Sequence, residues 1–282
     1  MQKIRVQTPA KINLTLEVLN KREDGFHNIQ SIMQTISLSD FLSITIDDAL
    51  QNEINLTGTS TEIPYNEKNI AYKAAKLYLE ETQTCGKKIQ IHIEKNIPVC
   101  AGLAGGSANA SGTLFALNKI FNKLTRTELH NLASKLGSDL NFCLDGGCAL
   151  CTGRGENIEK IPCQQFNISL IKPQKIGISA KEAYQKFAQL SDKSNPNNTT
   201  KLKNILTANK FDKSLIYNSL ENAVINDYKE LQMIKQTIPN SIMSGSGPTF
   251  FVINENINTE LFSDDFEIHN GLTSVNFGVK TV

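Results

Sequence analysis

Pro98-Val99-Cys100-Ala101-Gly102-Leu103-Ala104-Gly105-Gly106-Ser107-Ala108-Asn109-Ala110 is a glycine-rich bend between two segments of different period. Before it, Ile89, Ile91 and Ile93 alternate with Gln90, His92 and Glu94, as in a half-buried strand; after it, Ala110, Leu114, Leu117 and Phe121 recur at helical spacing. The glycines therefore sit where a helix begins. The first turn of a helix leaves backbone N–H groups without partners and carries the positive end of the macrodipole, so anions collect there. Glycines at 102, 105 and 106 let the backbone approach phosphate oxygens, and Ser107 offers a hydroxyl to a phosphate or to magnesium. Residues Pro98 to Ala108 are thus the expected phosphate cradle, with a plain strand-to-helix turn as the alternative. A Walker A loop is excluded because no lysine stands between Gly106 and Ser107. The G-x-G-x-x-G fingerprint is also missing, which disfavours a dinucleotide-dependent dehydrogenase. Charge to balance a triphosphate must come from outside the loop.

The chain has 282 residues, 40% of them hydrophobic, enough to bury a sizeable core, and two domains are expected, at 1–157 and 158–282. Lys and Arg total 29 against 28 Asp and Glu, so no global field draws nucleic acid or an anionic membrane, and an anionic ligand needs a local site. Met-Gln-Lys-Ile-Arg-Val lacks the apolar core of a signal peptide, and no run approaches the roughly 18 apolar residues of a membrane span, so a cytoplasmic protein is expected. Cysteines at 85, 100, 143, 148, 151 and 163 do not form a disulfide framework. Cys148 and Cys151 fall three apart on an expected strand, where they point to opposite faces, so buried thiols are expected rather than a redox or zinc pair.

The first 60 residues read as strands, with Ile12, Leu14, Leu16 and Val18 on one face and Phe41 to Ile46 alternating similarly. A helix starts after Asn69, and another at the capping box Thr125-Arg126-Thr127-Glu128, ending at Gly137. Later come a strand at Ile168 to Ile171, a helix at Ala180 to Leu190, a polar surface loop at Ser191 to Thr200, and helices at about 201–210 and 219–237. A second glycine-rich bend, Ser244-Gly245-Ser246-Gly247-Pro248, precedes an apolar strand and is expected to support the first cradle.

Phosphoryl transfer asks for neutralised phosphate oxygens and a group that accepts the hydroxyl proton. Asp139 is the candidate base: it follows the stop at Gly137 and opens a short helix whose macrodipole favours an ionised carboxylate. Lys11 is the candidate partner, an ammonium that orients Asp139 and stabilises charge on the attacking oxygen. Taken alone, each has an ordinary reading, an N-cap for the aspartate and a solvated strand face for the lysine. Their company argues otherwise, since Lys11 and Asn13 stand in a strand that is otherwise apolar.

Pro9-Ala10-Lys11-Ile12-Asn13-Leu14, the cradle, and Ser244-Gly245-Ser246-Gly247-Pro248-Thr249, in that order, resemble the GHMP kinases over most of the chain. Arg22-Glu23-Asp24-Gly25-Phe26-His27, Gly137-Ser138-Asp139 and Gly153-Arg154-Gly155-Glu156 narrow the resemblance to the branch that phosphorylates diphosphocytidyl methylerythritol, an isoprenoid precursor. The resemblance implies a two-domain α+β GHMP kinase fold, with an N-terminal domain like the second domain of a small-subunit ribosomal protein and a C-terminal α/β sandwich. It implies ATP and magnesium, Ser107 being the residue that would meet the metal, and a monomer or weak homodimer. It assigns the catalytic pair to Lys11 and Asp139, and substrate contacts to Asn13, Phe26, His27 and Tyr184, with cytosine stacked between the rings of His27 and Tyr184. The chain departs from the family pattern at Phe26, where tyrosine is usual, at Ala180, at Leu140-Asn141, where Val-Pro is usual, and mildly at Ala104. A homoserine- or mevalonate-type kinase of the same family, and a non-catalytic nucleotide-binding protein, are the alternatives.

Overall fold

A computed structural model describes residues 1–282 apart from Cys163, Asp192 and Ser194. The chain opens with two long antiparallel strands, β1 (Gln2–Lys21) and β2 (His27–Asp48). There follow β3 (Glu53–Gly58), α1 (Ile70–Glu81), β4 (Lys87–Glu94), α2 (Gly105–Phe121), α3 (Arg126–Leu136), α4 (Leu140–Asp145), β5 (Cys148–Gly153) and β6 (Asn157–Lys160). The second half runs through β7 (Asn167–Pro173), α5 (Ala180–Gln189), α6 (Asn198–Thr207), β8 (Tyr217–Asn218), α7 (Glu221–Val224) and α8 (Lys229–Thr237). It closes with β9 (Ile242–Met243), β10 (Phe250–Ile253), β11 (Phe266–Thr273) and β12 (Lys280–Thr281).

The described strands form an eight-stranded sheet built around β1 and β2 and a four-stranded sheet in the order β11-β7-β10-β9. The two halves are stitched together. β8 pairs in parallel with β1 through Thr15 and Tyr217, and β12 returns to the other end of β1 through Val6 and Thr281. Ala10, Ile12 and Leu14 of β1 share a buried cluster with Ile168, Leu202 and Phe251 from the second half, so a continuous apolar layer lies between the sheets. With α2 on its other side, β1 is buried on both faces from Thr8 to Leu16. Polar side chains at alternate positions of this strand must therefore find partners inside the protein.

Local chemistry explains the helices that hold the site. Asn69 accepts from the Ala71 N–H and starts α1, and the Thr125–Glu128 capping box is formed at α3. Helix α2 is rich in Gly, Ala and Ser because it lies close on the sheet: a Cβ at Gly112 would stand 2.5 Å from Thr8 Cγ2. Two expectations are corrected. The stretch from 191 to 200 is not all surface loop, because α6 begins at Asn198, whose N–H donates to the buried Glu17 carboxylate (2.7 Å), and Thr199 is buried against Thr15; positions 192 and 194 lie outside the described residues. The single helix expected at 219–237 is two, because Tyr228 takes an extended conformation before α8. Its apolar stripe survives the break, since Leu220, Val224, Leu231 and Ile234 all enter one cluster.

Cys148 and Cys151 are buried in different clusters, on opposite faces of β5 as expected, and Cys163 falls outside the described residues. Burial, and after it the nearby Asp139 charge, pushes the thiols of Cys143 and Cys151 up, which keeps them protonated. No helix among the described residues is long and apolar enough to cross a membrane.

Candidate active site

Lys11 sits between two irregularities in the β1–β2 ladder, at Pro9/Lys11 and Asn13/Thr15, which turn this short piece of strand toward the interior. Its side chain is only 5% exposed. The ammonium donates to Asn13 Oδ1 (2.6 Å) and to the Gly102 carbonyl (2.9 Å), and stands 3.9 Å from Asp139 Oδ2. Asn13 is held in turn by donating to Ser31 Oγ (2.7 Å), and Ser31 donates to the Thr15 carbonyl (2.6 Å). The lysine is thus neither solvated nor free to swing, and its one carboxylate neighbour is Asp139 among the described residues.

Asp139 occupies the residue before α4, yet its side chain caps nothing there, and its backbone is helical (φ −81°, ψ −10°) rather than extended. That rules out the ordinary N-cap geometry. Its carboxylate, 31% exposed, faces Lys11 on one side and a cavity on the other.

The cavity has a volume of about 1100 Å³ and runs from the cradle past Lys11 and Asp139 to Phe26, His27 and Tyr184. That is at the upper end of what single small-molecule sites reach, and suits two ligands meeting end to end. At its cradle end Cys100, Gly102 and Ala104 all have positive φ, and Ala104 leads into α2 without a side-chain cap, so the first N–H groups of the helix stay available to an anion. The second glycine-rich bend packs directly on the first. A Cβ at Gly102 would lie 2.1 Å from the Ser244 carbonyl, and Ser244 Oγ donates to the Gly102 carbonyl (3.1 Å). Ser244–Gly247 is therefore a brace for both the cradle and the lysine.

Two residues that the motifs passed over complete the cradle. Asp40, fully buried, accepts from Lys95 Nζ (2.7 Å), from the N–H groups of Asn96 (2.7 Å) and Ile97 (2.8 Å), and from Asn109 Nδ2 (2.8 Å). One carboxylate thus ties β2, the approach to the cradle and the second turn of α2 together. Burial lowers the Lys95 pKa while Asp40 opposes that shift, and the ammonium lies 2.8 Å from where a Cβ at Gly105 would be. The sequence signal was an aspartate just before the alternating run Phe41 to Ile46 and a lysine just after Glu94, indistinguishable there from surface charges.

At the far end, the rings of His27 and Tyr184 stack on each other, centroids 5.5 Å apart and 16° from parallel. The two rings are thus in offset contact at the place where the cytosine is expected to stack. Burial first, then Lys21 and Lys193, lowers the His27 pKa, leaving a neutral imidazole at neutral pH, with one donor and one acceptor nitrogen. Phe26 is 53% exposed. The guanidinium of Arg154 covers its ring at 5.2 Å.

The family model described as the GHMP kinases N terminal domain matches residues 69–147. The 4-diphosphocytidyl-2-C-methyl-D-erythritol kinase of Clostridium acetobutylicum is 42% identical over 260 residues, covering 90% of this chain and 91% of its own. A crystal structure of 4-(cytidine 5'-diphospho)-2C-methyl-D-erythritol kinase superposes with a TM-score of 0.72 at 26% identity, over 96% of this chain and all of that one. Homoserine kinase from Cytophaga hutchinsonii superposes with a TM-score of 0.75 at 18% identity, over 100% of this chain and 98% of its own, a likeness of fold alone.

Proposed function

The chain belongs to the 4-diphosphocytidyl-2-C-methyl-D-erythritol kinases within the GHMP kinase family, and from that membership we infer its function: it transfers a phosphoryl group from ATP to the 2-hydroxyl of 4-diphosphocytidyl-2-C-methyl-D-erythritol. It is an ATP-dependent small-molecule kinase of isoprenoid precursor synthesis, and we read it as acting in the cytoplasm, where both nucleotide substrates are dissolved. We take residues 1–157 and 158–282 as the two domains that meet at the cavity.

In this reading the phosphates of ATP rest on the N–H groups at the start of α2, and the acceptor lies along the cavity with its cytidine end at Phe26, His27 and Tyr184. Asp139 accepts the proton of the attacking hydroxyl. Lys11, fixed by Asn13 and the Gly102 carbonyl, stabilises the charge that grows on that oxygen. Asn13 contributes by holding Lys11 and by facing the acceptor. The neutral His27 imidazole matches cytosine, whose edge carries both a donor amine and acceptors. Ser107, which lines the cavity on the first turn of α2, would hold magnesium brought with the triphosphate, while no group of three or more His, Cys, Asp or Glu gathers for a metal among the described residues. When bound, the ion neutralises phosphate oxygens.

The observation that supports this most is the meeting of Lys11 and Asp139 at the mouth of the glycine cradle, in one cavity with the His27–Tyr184 pair. A pure nucleotide binder needs neither the amine nor the carboxylate. The test is ADP release by purified protein offered the diphosphocytidyl substrate, homoserine or mevalonate. Turnover with the first alone is expected; turnover with homoserine or mevalonate instead would refute the substrate assignment. In Asp139→Asn, turnover is expected to fall by about two to four orders of magnitude with ATP binding retained. Undiminished turnover would remove Asp139 from the mechanism.

A further inference from the structure

The turn Gly153–Glu156 carries a cation that the phosphate cradle and the catalytic pair leave unused. Arg154 follows β5 and is 27% exposed in its side chain. Its backbone N–H donates to Glu156 Oε2 (2.6 Å), and its Nε stands 3.6 Å from Glu156 Oε1. Its guanidinium lies over Phe26. The turn is anchored to the catalytic helix, since Asn141 Nδ2 of α4 donates to the Glu156 carbonyl (3.2 Å). Gly155 comes so close to the candidate base that a Cβ there would be 3.8 Å from Asp139 Oδ1. Arg154 is therefore oriented by Glu156 and Phe26, while its two terminal nitrogens make no hydrogen bond among the described residues, and the side chain lines the cavity.

Resting on the acceptor assignment above, we propose that Arg154 binds the diphosphate of the cytidylyl substrate and fixes how far its reactive hydroxyl extends toward Asp139. The substrate carries its diphosphate between the cytidine end and the alcohol that is phosphorylated; Arg154 touches Phe26 of the first end, and the next residue of its turn, Gly155, approaches Asp139 at the second. Of the other cations lining this cavity, Lys11 is engaged by Asn13 and Gly102, and Lys95 by Asp40 and the Ile97 carbonyl; Lys21, Lys68 and Lys181 also line it, and Arg154 is the one carried on the turn that packs beside Asp139. A guanidinium presents a planar fork to two phosphate oxygens, which a lysine cannot reproduce, and stacking on Phe26 orders that fork before the ligand arrives.

The experiment compares cytidine 5′-diphosphate with cytidine as inhibitors competing against the diphosphocytidyl substrate, in wild type, Arg154→Gln and Arg154→Lys. In wild type the diphosphate is expected to inhibit at least about 10-fold more tightly than cytidine. In Arg154→Gln that preference should collapse toward equality, and the KM for the diphosphocytidyl substrate should rise about 10- to 100-fold. The KM for ATP should change by less than about twofold, since α2 and its cradle are untouched, which also reports that the variant is folded. Arg154→Lys should fall between, the charge kept and the fork lost. A preference for the diphosphate that survives in Arg154→Gln, or equal inhibition by the two compounds in wild type, would overturn the proposal. Absence of inhibition by both in wild type would instead overturn the cytidine assignment on which it rests.

Discussion

Replacing Gly245 by alanine tests the brace beneath Lys11, the proposed catalytic lysine. Gly245 has φ +56°, and a Cβ there would stand 2.8 Å from the Gly102 carbonyl oxygen, 2.9 Å from Lys11 Nζ and 3.4 Å from Asn13 Oδ1. Ordinary contact of carbon with such atoms is near 3.5 Å, so either the ammonium or the cradle backbone must retreat by about half an ångström or more. The ammonium cannot move without cost, because it holds Asn13 at 2.6 Å and Gly102 at 2.9 Å in a buried site. Misplacement of a catalytic group on the ångström scale costs up to about 100-fold, so the half-ångström shift is expected to lower kcat by about 10- to 100-fold, with the KM for ATP changed far less. The left-handed backbone adds about 1–2 kcal/mol of strain for alanine whatever the contacts. Gly271→Ala separates the two effects: its φ is +72° but nothing lies within 4 Å of the new methyl group. It should lose comparable stability in a denaturant titration and keep wild-type turnover in the ADP-release assay. Turnover within about twofold of wild type in folded Gly245→Ala would show that the second glycine bend does not position Lys11.

Asp40→Asn leaves the buried Lys95 ammonium without its counter-charge and should destabilise the protein by about 3–5 kcal/mol in chemical denaturation; a loss below about 1 kcal/mol would mean that the pair does not anchor the cradle. The pKa of His27 lies below its ordinary value because of burial, Lys21 and Lys193, so the ring is neutral at neutral pH and gains a proton only on acidification. The KM for the cytidylyl substrate should therefore be flat above about pH 6.5 and rise at lower pH, and His27→Ala should raise that KM and abolish the acid limb. An acid limb that persists unchanged in His27→Ala would assign the titration to another group.

Much of the framework was written in local sequence. The period of Ile89, Ile91 and Ile93, the cap at Asn69 and the capping box at Thr125 depend on neighbours a few residues away, and each formed as read. The break at Tyr228 escaped because an apolar stripe records which residues face the core and is blind to a turn that preserves the facing. The polar letters of Asn198 and Thr199 escaped for a related reason: their partners, Glu17 and Thr15, are supplied by a strand nearly two hundred residues away.

For the site, sequence alone singled out candidates for the chemistry, because a glycine bend between strand and helix, a lysine in an apolar strand and an aspartate after a helix stop are unusual wherever they fall. Tertiary structure alone decided their relations. The 3.9 Å between Lys11 and Asp139, the His27–Tyr184 stack, the burial of Lys95 by Asp40 and the guanidinium of Arg154 over Phe26 all join side chains distant along the chain. Short-range preferences act over a few bonds, whereas burial and electrostatic contact depend on distance in space, and that distance is set only once the sheets and helices have packed.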